Sequence, residues 1–144
     1  MAAAKSSIRI GAHVPTSGGM ATRSIEYALT IKAETIQVFA SSPRTWATSA
    51  PNPAMDEAFK AKTSEHDIKP YVHASFLINL GSPTVSTYEN SLAATAYSLK
   101  RGHEIGAHGV VVHTGSAVDE SVLQVKQVEV KFVNVVTAPM DFDP

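Results

Sequence analysis

The sequence predicts an α/β protein of the parallel (β/α), TIM-barrel type, incomplete and represented by about the first four strand-helix units. Three observations predict it. Apolar, β-branched segments recur at 8–14, 35–40, 70–73 and 109–113, and a stretch of helical periodicity separates each from the next. Parallel strands need such crossovers, which cover the sheet with helices. The run Val110-Val111-Val112 is apolar without alternation, the pattern of a strand buried on both faces. A closed barrel takes about 250 residues. The 144 residues here are therefore expected to leave the sheet open, with an unpaired strand edge through which the chain could self-associate.

The elements follow in order. The first strand ends at His13, and Gly18-Gly19 suits either a tight turn into a helix or the approach of backbone amides to a phosphate. Ile25, Ala28 and Leu29 have the spacing of one buried helix face. After the second strand, Asn52-Pro53 reads as a helix cap with a first-turn proline, and Asp56 and Glu57 suit the positive end of the helix. Met55, Ala58 and Phe59 are its expected core face. The third helix opens on Ser86-Thr87-Tyr88-Glu89, with capping-box spacing, and Tyr88, Leu92, Ala96 and Leu99 are its expected buried face. From Val118 the text changes. Val128, Val130 and Phe132 alternate with polar residues where another crossover helix is due, so 1–117 is assigned to the barrel portion and 118–144 to a divergent tail.

Composition narrows the function classes. The chain is 44% hydrophobic and 17% charged without a long apolar run, which argues against a membrane span. The first seven residues carry neither a signal stretch nor an Arg-rich transit pattern, so a cytoplasmic location is expected. No cysteine is present, leaving nitrogen and oxygen donors as the strong metal ligands. A formal charge of −1 lacks the field of a protein that coats nucleic acid, yet a few local cations suffice to grip a short duplex.

In parallel α/β architectures the chemistry lies at the C-terminal ends of the strands. His13, His73 and His113 all fall there and are expected to converge, whereas His66, His103 and His108 read as solvated or structural. A single such histidine is as readily a hydrogen-bonded rim residue as a ligand, and two or three make only part of a zinc shell. Ser42-Pro43-Arg44-Thr45-Trp46 sets an arginine and the only tryptophan on a mouth loop, where Trp46 could line the pocket or cap the core. Phe76-Leu77-Ile78 is either a wedge for bases or loop packing.

Taken together, Gly11-Ala12-His13-Val14 with Gly18-Gly19, Pro43-Arg44-Thr45-Trp46, His73-Ala74-Ser75-Phe76-Leu77-Ile78-Asn79-Leu80-Gly81 and Val112-His113-Thr114-Gly115-Ser116 resemble the endonuclease IV family of DNA-repair nucleases. The resemblance runs from Ile8 to about Ser116. It implies a (β/α)8 barrel whose zinc ions serve to cut the phosphodiester 5′ to an abasic site in double-stranded DNA, with manganese as the alternative metal. On this resemblance His73 and His113 are metal ligands, His13 is a pocket residue with Trp46 beside it, and Arg44 and Phe76 contact the DNA. Ala74, Phe76 and Thr114 depart from the family pattern, which has an acidic residue, a tyrosine and a proline there. The later ligands have no counterpart and Glu129 does not match the bridging glutamate, so no catalytic residue is assigned and the chain is expected to be truncated and inactive alone. The alternatives are a catalytically silent fragment or binding module, and a metal-dependent sugar isomerase or epimerase of the same superfamily.

Overall fold

The computed structural model describes residues 8–117. Along the chain these form β1 (Gly11–His13), a π-helical segment (Gly19–Ser24) continuing into α1 (Ile25–Thr30), β2 (Thr35–Phe39), α2 (Pro53–Glu65), β3 (Lys69–His73), α3 (Val85–Glu104) and β4 (Val110–Val111). The strands pair in parallel in the order β1-β2-β3-β4. An order that never reverses, with a helix at each crossover, is the arrangement of a barrel wall and not of a doubly wound sheet. The parallel α/β expectation holds. The tail assigned to 118–144, with its alternation at Val128, Val130 and Phe132, lies outside the described residues.

The three helix-to-strand connections use one device. Lys32, Asp67 and Gly106 take positive φ directly after α1, α2 and α3. The following amide then reaches back to the last turn, as in Ala33 N–H to Ala28 O, Ile68 N–H to Thr63 O and Ala107 N–H to Gly102 O. This Schellman-type closure satisfies orphan carbonyls and turns the chain into the next strand. Gly11 serves a different need. A Cβ there would lie 1.6 Å from the Thr35 carbonyl oxygen, so β1 can pair with β2 in this register only without a side chain.

Helices cover one face of the sheet. Val14, Ile36, Val38 and Val72 point into them and meet Ile25, Ala28, Phe59 and Ile105 in a buried cluster. The opposite face, with Gln37, Phe39, Tyr71 and His73, is only half-buried, so β2 and β3 alternate. This corrects the expectation of strands buried on both sides. The inner face of a barrel is filled by side chains from strands across the lumen, and the described residues hold four strands.

Helix starts and phases differ in part from the sequence reading. Asn52 caps α2, its side chain accepting from Met55 N–H at 3.2 Å ahead of Pro53. α3 begins earlier than the capping-box spacing implies: Thr84 is its N-cap, and Ser86 lies inside the first turn. Its buried positions are Ser91, Ser98, Arg101 and Gly102, whereas Leu92, Ala96 and Leu99 are exposed. Small residues let α3 lie close to the sheet. Their hydroxyls stay satisfied by bonding back, as from Ser91 to Thr87 O and from Ser98 to Ala94 O. Leu29, Met55 and Ala58 are likewise exposed, and Ile25, Ala28 and Phe59 are buried as expected. Asp56 does more than face a helix dipole, since its carboxylate pairs with Arg101 through two 2.8 Å bonds and joins the start of α2 to the end of α3. Among the described residues no helix is long and apolar enough to cross a membrane.

Candidate functional site

The parallel arrangement brings the C-terminal strand ends to one edge, and the imidazoles gather there. His13 closes β1, His73 closes β3, and His113 follows β4. The His13 and His73 ring centroids are 6.1 Å apart, those of His73 and His113 5.1 Å. Phe39, at the end of β2, packs against both His13 and His73, with centroids at 4.4 and 5.1 Å.

The closest approach is between His73 Nε2 and His113 Nε2, 3.2 Å apart. His73 Nδ1 lies 2.7 Å from the Ala74 carbonyl oxygen. A carbonyl only accepts, so this bond places the His73 proton on Nδ1 and leaves a lone pair on Nε2. Burial holds the His73 pKa below its usual value, and the neighbouring His113 and His13 add to this against the opposing effect of the Ala74 hydrogen bond. The ring is therefore kept in the neutral form that metal ligation requires.

The spacing can be tested against a shared ion. Two nitrogens each about 2.05 Å from a tetrahedral centre are separated by roughly 3.3 Å. The observed 3.2 Å fits that chord. His73 and His113 thus have the donor chemistry and spacing of two ligands to one cation, with the His73 proton on Nδ1; in the metal-free contact His113 Nε2 donates to His73 Nε2 and would give up that proton position to a metal. Among the described residues no group of three or more His, Asp or Glu could hold a metal ion. His13 stands apart from the pair, its Nδ1 facing Gln37 Oε1 at 3.3 Å.

The segment from His73 to Gly81 ties the surrounding loops together. Ser75 Oγ and Phe76 N–H both donate to the Pro43 carbonyl, each at 3.0 Å. Asn79 N–H donates to Ser91 Oγ, and Leu80 N–H donates to Thr114 O, which holds the His113 loop beside that of His73. The Ala74 and Thr114 departures therefore fall where a backbone carbonyl does the work. Of the apolar triplet, Phe76 is 53% exposed and meets His73 and Phe39 edge-on, whereas Ile78 is buried with Ala74 and Leu80. Exposure and packing are divided between them.

Arg44 is exposed and makes no hydrogen bond or ion pair among the described residues. Trp46, 38% exposed, borders a small gap of about 10 Å³ together with His73, Ser75 and Tyr97. His66 and His103 sit at the far ends of α2 and α3, and His108 precedes β4, all away from this edge. Gln37, Ser75 and Tyr97 were not singled out by sequence. Gln37 carried the best signal, a polar residue inside an apolar strand.

A sequential parallel sheet with a helix at each crossover and its imidazoles at the strand C-termini defines the class as a (β/α)-barrel type of protein. The chain belongs to the xylose isomerase-like TIM barrel family, whose model matches residues 25–136. Within that class it is 52% identical over 108 residues to the probable endonuclease 4 of Streptomyces avermitilis, covering 75% of this chain and 35% of that protein. It is 37% identical over 117 residues to an endonuclease 4 of Thermus thermophilus, covering 79% and 43%. The crystal structure of endonuclease IV from a second strain of Thermus thermophilus superposes with a TM-score of 0.71 at 35% identity, over 81% of this chain and 44% of that one. The chain thus spans under half the length of these relatives.

Proposed function

We propose that this chain serves DNA repair as part of a zinc-dependent hydrolase of the endonuclease IV type, which cuts the phosphodiester 5′ to abasic sites. The observation that carries the reading is the His73–His113 pair, with the two Nε2 atoms 3.2 Å apart and the His73 tautomer set by Ala74. His73 and His113 would hold zinc, or manganese, as two of its ligands. Such an ion, when bound, lowers the pKa of a water to about 7 and stabilises charge on phosphate oxygens. The chain's other residues bind and orient. Arg44 offers an unpaired cation at the mouth, suited to a phosphate or an exposed base edge. Phe76 offers an exposed ring that can enter a duplex already weakened by a missing base. His13 and Trp46 line the pocket beside them. The expected partner is abasic double-stranded DNA, and the expected compartment the cytoplasm. These two contacts suit a duplex better than the small sugar of an isomerase.

The same geometry favours a second statement about the 144-residue polypeptide by itself. Two imidazoles converge among the described residues and no third ligand joins them, so metal binding is weak and the isolated polypeptide acts as a binding module. Titration calorimetry with zinc tests both. The expected result is weak binding, with a Kd of roughly 1–100 µM, abolished in His73→Ala and in His113→Ala. Sub-micromolar affinity indifferent to both changes would refute the assignment.

A further inference from the structure

The connection 40–52 between β2 and α2 is longer than the roughly two to six residues usual for such loops, and it carries both Arg44 and Trp46. Its attachment to the rest of the molecule is narrow. Apart from the cap that Asn52 makes on α2, three of its carbonyls accept hydrogen bonds from other elements among the described residues. Pro43 O accepts from Ser75 Oγ and Phe76 N–H, Ser49 O accepts from Tyr97 Oη at 2.9 Å, and Ala40 O accepts more weakly from the same hydroxyl at 3.4 Å. The first of these anchors adjoins Arg44 directly.

Ser75 is built for that contact. Its hydroxyl donates to Pro43 O at 3.0 Å while accepting from Leu77 N–H at 3.2 Å, so both ends of the group are fixed. The proline ring restricts the backbone that presents the carbonyl. Phe76, the next residue, shares the same acceptor. One oxygen therefore sits between the residue before Arg44 and the backbone of Phe76. Alanine could make neither side-chain bond; threonine could make both. A bonded hydroxyl in a half-buried turn also has an ordinary use in local turn structure, but the Leu77 bond alone would supply that. The second bond, spanning 32 residues of sequence, joins two loops.

We propose that Ser75 is a positioning residue that sets the register between the Arg44–Trp46 loop and Phe76. It acts through Pro43 and touches no substrate. The purpose of the register rests on the reading of Arg44 and Phe76 as duplex contacts: with the two held at fixed separation, a cation and an aromatic ring address one interrupted step of the helix together. Without the Ser75 hydroxyl the join rests on the Phe76 amide alone and the register loosens, so preference for the lesion would fall more than affinity for DNA as a whole.

Trp46, the only tryptophan, reports on the loop without any ligand. The experiment compares the full chain with Ser75→Ala and Ser75→Thr by acrylamide quenching of Trp46 and by anisotropy with abasic and intact duplexes. Ser75→Ala is expected to raise the quenching constant by up to about twofold, as Trp46 moves from 38% exposed towards full exposure. It should lower the abasic-over-intact preference roughly three- to tenfold while zinc binding at His73 and His113 stays unchanged. Ser75→Thr should restore both readings. Unaltered quenching in Ser75→Ala, or failure of threonine to rescue, would overturn the proposal. If quenching changes and the wild-type chain shows no preference for abasic duplex, the register stands and the duplex reading falls. Should Ser75→Ala not fold, hydrogen exchange on the wild-type chain decides: protection of the Leu77 amide, which donates to Ser75 Oγ, together with that of Phe76 supports the clamp, and exchange of the Leu77 amide at the rate of a free amide overturns it.

Discussion

The pair Asp56–Arg101 offers the sharpest test of how this fold is held. Both side chains are 7% exposed, and the guanidinium meets the carboxylate through two 2.8 Å bonds. Hydrogen bonding to Asp56, strengthened by Glu104, raises the Arg101 pKa against the effect of burial, so the cation persists at every working pH. Asp56→Ala would leave that charge buried with its first partner gone. Breaking a buried pair costs about 3–5 kcal/mol, and here the lower end is expected because Glu104 still bonds to Nη1. Asp56→Ala combined with Arg101→Met removes the charge as well and should cost only about 1–2 kcal/mol, less than the single change. Urea unfolding at pH 7 reads this directly: at a slope near 1–1.5 kcal/mol/M, the single change shifts the midpoint by about 2 M and the double change by about 1 M. A single-variant cost below about 1 kcal/mol, or a double variant worse than the single, would show that Arg101 is solvated or held by Glu104 alone.

Three further outcomes are expected. Stability should fall with acid through the histidine range, because burial lowers the pKa of both His73 and His108 below the unfolded value of 6.5. The unfolded chain then takes up protons first, so the loss begins as pH drops through about 6.5 and levels off below the folded values; urea midpoints at pH 7.5, 6 and 5 measure it, and His73→Gln with His108→Gln should flatten the slope. Gly11→Ala should cost more than about 2 kcal/mol, since its Cβ would meet the Thr35 backbone 1.6 Å away, and a midpoint equal to the parent's would contradict the β1–β2 register. The polypeptide assayed alone, freed of host nuclease and supplied with zinc, should not incise a duplex carrying one abasic analogue; robust incision that disappears in His113→Ala would refute its reading as a binding module.

The fold was legible where a local pattern and a general rule coincide. Alternation of β-branched runs with helical stretches, plus the need for crossovers, was enough for a parallel sheet in sequential order. The phase of α3 was not. Its larger apolar residues, Leu92 and Leu99, define the stripe a sequence reader follows, yet the face against the sheet is made of Ser91, Ser98 and Gly102. Close approach outweighs hydropathy there, and serine hydroxyls satisfied within the helix lose little on burial. Asp56 shows the complementary limit. Its position in a first helical turn has a sufficient local explanation, which hides a partner 45 residues away.

The site divides along the same line. His13, His73 and His113 could be found from sequence because parallel strands place their C-terminal ends together, and the family resemblance then selects His73 and His113 over His13 as metal-ligand candidates. What the sequence leaves open is the geometry between them, namely the 3.2 Å spacing and the proton fixed by Ala74 O. The supporting residues are harder still, since loop hydroxyls such as Ser75 and Tyr97 have no periodicity to betray them. Yet the run from His73 to Gly81 has a logic visible once the bonds are known. Its members reach four neighbours in turn, the other imidazole, the Arg44 loop, α3 and the segment after β4. Where this chain departs from the endonuclease IV pattern, at Ala74 and Thr114, the bond is made by a carbonyl that any residue supplies. Side-chain identity in this run should therefore be constrained at His73, Ser75 and Asn79, and free at 74 within the limits of a buried small residue.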